Sequence, residues 1–169
     1  MRDIINYKKR KGSCMKYQRV CVRFIIFAFF GLVTEVLFTG IGGLISHGNI
    51  NMIGHSSPWM MIDYGLLGVI TPWIRNPMKT RKIPLPIRAI VYMVGIYFVE
   101  YVSGIVFHKV LGLRIWDYSH MRLNLHGQIT LMYLPAWYSL SLGIEKLYEW
   151  VDKSAWAILT KSPLGYTPE

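Results

Sequence analysis

The stretch Phe24–Ser46, FIIFAFFGLVTEVLFTGIGGLIS, holds one charged residue, Glu35, in 23 positions. A helix rising about 1.5 Å per residue needs roughly 17–25 residues to cross hydrocarbon, so this run reads as a membrane span. Three more runs resemble it: 58–74, charged only at Asp63; 89–107, charged only at Glu100; and 127–144, with no charge. The two shorter runs could be buried helices of a soluble protein. Four such runs in 169 residues, however, leave too little polar sequence to coat a globule. Composition agrees, with 53% of residues hydrophobic and 17% charged where soluble domains carry about a quarter. The expected fold is all-α: a polytopic membrane bundle of four transmembrane helices. A basic segment, 1–23, precedes the transmembrane domain, 24–146, and an amphipathic helix with a tail, 147–169, follows it.

The net charge of +10 raises the question of nucleic acid, and its distribution answers it. Eight basic residues, Arg2 to Arg23, precede the first run, and Arg75, Lys79, Arg81, Lys82 and Arg88 lie between the second and third. The loop 47–57 has no Lys or Arg, and the loop between the third and fourth runs has only Lys109, Arg114 and Arg122. Excess Lys and Arg marks the cytoplasmic side. Both termini are therefore expected in the cytoplasm, in a multi-pass protein of the plasma membrane. The positive charge reflects topology, and nucleic acid drops out as a partner in favour of the lipid bilayer. The first run is longer than a secretory signal core and lacks a small-x-small cleavage site, so it reads as a retained anchor. Cys14 and Cys21 then read as free thiols in a reducing compartment.

Beyond the fourth run, Leu147, Trp150, Val151, Ser154, Ala155 and Ile158 recur at helical spacing, with Glu149, Asp152 and Lys153 on other faces. This segment is either an interfacial amphipathic helix or an extension of the fourth span. The tail 162–169 is expected to fray. The two halves also resemble each other. Glu35 and Glu100 are 65 positions apart, while Gly54 precedes Tyr64, and Gly127 precedes Trp137, by ten residues each. A duplicated two-helix hairpin is one explanation and chance the other. Ligands of repeat-built membrane proteins often bind between the repeats.

Glu35, Asp63 and Glu100 carry the functional question. An ionisable group in hydrocarbon costs at least about 2.5–3.5 kcal/mol, so it faces protein or water. Ala28, Gly31, Glu35, Thr39 and Gly42 form a small and polar stripe at three-to-four spacing. Tyr97, Glu100, Ser103, Gly104 and His108 form another, and Gln128, Pro135, Ser139 and Gly143 a third. Small residues let helices approach and polar ones bond across them, so the stripes are expected to face one another. The acids fall at mid-depth or in the outer half, with every histidine, Arg114, Asp117 and Arg122 at the outer rim. Four roles fit: a structural lock, a transport or ion site, general-base catalysis by Glu100 or His108 with Ser103 as nucleophile, or a metal site. No His pair has the helix-borne spacing of a zinc motif, and no metal or cofactor is expected.

Gly31-x-x-x-Glu35, Glu100, Trp116-Asp117-Tyr118-Ser119, Asn124-x-x-Gly127-x-Ile129-Thr130-Leu131 and Trp137 resemble the family described as putative ABC-transporter type IV, or CmpB-like. They are also similar to the transmembrane protein 229 group. The resemblance covers roughly 24–146 and implies a transport-related membrane protein. The chain has no Gly-x-x-x-x-Gly-Lys-[Ser/Thr] phosphate loop, so it cannot hydrolyse ATP alone. Nor does it carry an Glu-Ala-Ala type loop for docking an ATPase. Four spans are few for alternating access, so transport would call for a homodimer or a partner membrane subunit. Asp117 reads mainly as the cap of an Asx-turn, with Trp116 and Tyr118 as interfacial anchors.

The resulting expectation is a transport-type or ligand-binding membrane protein with a polar intramembrane site open to the outer side. Glu35 and Glu100 form its centre, Asp63 assists, and His108, Arg114, Asp117 and Arg122 gate it. The alternatives are an intramembrane enzyme acting on a lipid or head group, and a non-catalytic subunit of a larger complex. An enzyme is the less favoured class.

Overall fold

The computed structural model describes the backbone of residues 2–162 and 164–168 and, among these, side chains from Cys14 onward. Arg2, Lys8, Lys9, Arg10 and Lys11 of the basic segment therefore lie outside the described side chains. Four helices run up and down: α1 (Arg2–His47), α2 (Met60–Thr80), α3 (Leu85–Ile105) and α4 (Leu134–Thr160). The loops 48–59 and 106–133 sit at one end of the bundle, here the loop end. The termini and the tight 81–84 turn sit at the other, the terminal end.

The basic segment does not form a separate element; it is the first half of α1. Close approach of α1 and α2 depends on missing side chains. A Cβ on Gly31 would lie 2.1 Å from the Tyr64 ring, and one on Gly54 would lie 1.8 Å from the Val36 carbonyl oxygen. The loop 48–59 is thereby pressed onto α1, and Thr39 Oγ1 stitches it there, donating to the His55 carbonyl and accepting from its N–H.

At the far end of α3 the helix widens into a π turn, Val106–Val110. Such turns recur at functional positions. The fourth apolar run is helical only from Leu134. Residues 124–130 instead form a two-stranded antiparallel hairpin, β1 (Asn124–Leu125) and β2 (Ile129–Thr130), with Leu125 opposite Ile129. His126 (φ 53°) and Gly127 (φ 69°) take left-handed backbone in its turn. Pro135, in the first helical turn where its missing N–H costs nothing, then starts α4.

α4 continues without a break to Thr160, so 145–160 extends the same helix. Its buried stripe is Ser141, Ile144, Glu145, Tyr148, Val151, Asp152 and Ala155. That corrects the amphipathic face read from the sequence: Trp150 and Ile158 point outward, while Asp152 is fully buried. The described part of the tail, 164–168, is docked rather than frayed, since the Tyr166 hydroxyl donates to Asp152 Oδ2 and Arg19 donates to the Thr167 carbonyl.

Among the described residues, two helices are long and apolar enough to cross a membrane, Cys14–His47 and Leu85–Val110. The other two helices do not combine that length with that apolarity: α2 runs past its apolar stretch into Arg75 and Lys79, and α4 begins only at Leu134 and leaves the apolar stretch at Glu145, with Lys146, Glu149, Asp152 and Lys153 beyond it.

Candidate functional site

Two polar layers lie inside the bundle, one toward each end. The layer nearer the loop end contains the three acids. Ser56 Oγ (2.7 Å) and the Tyr64 hydroxyl (3.0 Å) both donate to Glu35 Oε2. Ser103 Oγ donates to Asp63 Oδ2 at 2.8 Å, and the Tyr118 hydroxyl donates to Glu100 Oε1 at 3.2 Å. The three carboxylates come from α1, α2 and α3 and are close enough to feel one another's charge. All their hydrogen-bond partners are neutral hydroxyls. Among the described residues none of the three has an ion-pair partner, although Asp63 and Glu100 are both more than nine-tenths buried. Asp63 Oδ1 and Glu100 Oε2 have no hydrogen-bond partner among the described residues. No three His, Cys, Asp or Glu side chains among the described residues converge as metal ligands do.

The Trp116–Ser119 segment holds Tyr118 over Glu100. Asp117 Oδ1 accepts from the Ser119 N–H at 2.8 Å, the Asx-turn read from the sequence. That bond and the nearby Arg114 hold the exposed Asp117 carboxyl below the ordinary carboxylate range. Trp116 Nε1 donates to the Gln128 carbonyl at 2.8 Å, and Asn124 Oδ1 accepts from the Gly127 N–H. Gly127 must remain bare, since a Cβ there would lie 3.0 Å from Asp117 Oδ1. The hairpin and the Trp-Asp-Tyr-Ser segment thus form one folded cap over the acid layer.

The expected rim residues are only partly assembled. Arg114 donates to His108 Nε2 and to Asp117 Oδ2, both at 3.2 Å, in an exposed cluster outside the acids. Arg122 contributes its carbonyl, which accepts from Thr130 Oγ1, rather than its guanidinium. Trp137 is half-buried with Nε1 unpartnered. Ser103 is engaged with Asp63 rather than with His108, so the serine–histidine pairing does not form.

The second layer was not read from the sequence. Fully buried Asp152 accepts from Arg19 Nε at 2.8 Å and from Arg23 at 3.0 Å. Arg23 also donates to the Tyr148 hydroxyl at 2.8 Å, and the Arg75 guanidinium lies 5.6 Å over the same ring. Glu149 pairs with Arg75 and Lys79. Glu145 accepts from Arg88 Nε (2.6 Å) and from the Tyr92 hydroxyl (2.7 Å). The available signal was the spacing of the acids at 145, 149 and 152, which puts them on one helical face opposite the basic runs.

Fold and site together define an all-helical bundle with two membrane-length apolar helices, a capped acid layer and an ion-paired layer opposite. A family model described as Putative ABC-transporter type IV matches residues 22–164. The chain belongs to that family, and the match spans both polar layers and the cap. No solved structure matches it.

Proposed function

We propose that the chain is a multi-pass membrane protein of transport type whose Glu35–Asp63–Glu100 layer takes up a proton from the side of the loop end. α1 to α4 all cross the bilayer, with both termini cytoplasmic. The observation that carries this reading is a three-carboxylate cluster, two of its members buried and the third half-buried, with no basic partner among the described residues. Three like charges in a low-dielectric interior repel strongly, and removing them from water costs several kcal/mol each. A positive partner has to be supplied, and the absence of convergent ligand geometry favours a proton over a coordinated metal ion.

The outward faces support the membrane placement. Phe29, Val33 and Leu37 of α1 and Val94 and Phe98 of α3 are each more than half exposed, while Glu100, Glu145 and Asp152 are inside. Apolar outside and polar inside is the distribution a bilayer imposes. The family description adds the transport reading.

The test is proton uptake by the purified full chain in liposomes carrying an entrapped pH dye. Wild type is expected to acidify the lumen under an inside-negative potential, and Asp63→Asn with Glu100→Gln to abolish this while the variant still elutes as folded protein. Undiminished acidification by that folded variant would overturn the proposal.

A further inference from the structure

We infer that a small, partly open apolar pocket between α2, α3 and α4 is the gate of a proton path joining the two polar layers, with Tyr92 and Glu145 as its far station. This rests on the proton reading of the acid layer. The pocket offers about 30 Å³ of room to water centres, and its lining includes Thr71, Tyr92, Gly95, Ile96, Val99 and Ile144. One water needs roughly 10–15 Å³ by that measure, so about two fit.

Its position gives it meaning. Tyr92, Gly95, Ile96, Val99, Glu100 and Ser103 follow a three-to-four spacing along α3. The wall therefore begins one residue from Glu100 and ends at Tyr92. At about 1.5 Å per residue those two lie roughly 12 Å apart along the axis. At the near end Ser103 Oγ joins Asp63 to the Val99 carbonyl, each at 2.8 Å. At the far end the Tyr92 hydroxyl donates to Glu145 Oε1 at 2.7 Å, and Glu145 also pairs with Arg88 and with Lys79, which is 38% exposed.

Such an apolar constriction resists water and gates by wetting. In the wetted state a triad carboxyl releases its proton to pocket water and is left as the carboxylate. The Tyr92–Glu145 pair receives that proton and passes it to solvent beside Lys79. One proton enters at the loop end and one leaves at the terminal end, with no co-reactant.

The test uses the same liposomes and a separate measurement of protons bound per protein in detergent. Gly95 has room for a Cβ, with Ile74 Cδ1 nearest at 3.9 Å, so Gly95→Leu directs its side chain toward the pocket. Gly95→Leu is expected to lower flux at least tenfold with proton binding unchanged, and Ile96→Ser, which makes the wall wettable, to raise flux several-fold. Full flux in Gly95→Leu and unchanged flux in Ile96→Ser, alongside lost flux in Glu100→Gln, would overturn the path while leaving uptake at the acid layer standing. Unchanged flux and proton binding in Glu100→Gln would overturn the uptake reading and the path with it. If Gly95→Leu fails to fold, Ile96→Ser decides alone.

Discussion

Replacing Asp152 by Ala tests whether the second polar layer holds the bundle together. Asp152 is fully buried and is the shared acceptor of Arg19, Arg23 and the Tyr166 hydroxyl. Both arginine side chains are at most 5% exposed, so removing the carboxylate strands buried guanidinium charge. Breaking a buried pair from one side costs about 3–5 kcal/mol. For a domain of this size each kcal/mol shifts Tm by roughly 2–4 °C, so the predicted loss is roughly 6–20 °C. The assay is thermal unfolding of the purified chain in mild detergent. Arg114→Ala is the internal control: Arg114 and its partner Asp117 are 66% and 38% exposed, so solvent screening leaves that pair little to lose. Equal small shifts for the two variants would refute the reasoning, because the difference rests entirely on burial.

Gly54→Ala is expected to detach the 48–59 loop from α1, because its Cβ would sit 1.8 Å from a backbone oxygen that cannot swing away; faster proteolysis in that loop is the readout. Gly127→Ala combines a φ of 69° with a close approach to Asp117, at a cost of about 1 kcal/mol or more, read as a Tm decrease. Stability should also fall in acid. Hydrogen bonding from Lys79 holds Glu149 below its ordinary value of 4.5. A depressed folded-state value contributes stability above pH 4.5 that disappears as pH descends through it, so Tm should drop below pH 4.5 and Glu149→Gln should flatten that drop. For topology, a cysteine at Asn51 should react with an impermeant reagent from outside cells and one at Lys79 should not; the reverse would invert the orientation.

The long apolar runs and the three isolated acids were plain in the sequence because each is a local property. A charge among twenty apolar residues needs no partner to be noticed. The Asx-turn at Asp117 was equally local, resting on a bond to the residue two positions on. Asp152 was missed for the opposite reason. Its neighbours Trp150, Val151 and Ile158 suggested an apolar stripe that excluded it. Arg19 and Arg23 lie more than 125 positions away, and no periodicity within α4 could reveal them. Likewise Arg114 and Arg122 have the charge to neutralise the acids, but the cap turns the first toward Asp117 and engages only the carbonyl of the second.

By itself, then, the sequence determined the helical class, the family and the sparse acids within apolar runs. Hydrophobic length and isolated charge follow from transfer energies that each residue carries wherever it sits. Only the tertiary structure decided which basic residues are consumed by α4, leaving the acid layer served by hydroxyls alone. Pairing energy depends on distance and burial between chain segments far apart in sequence.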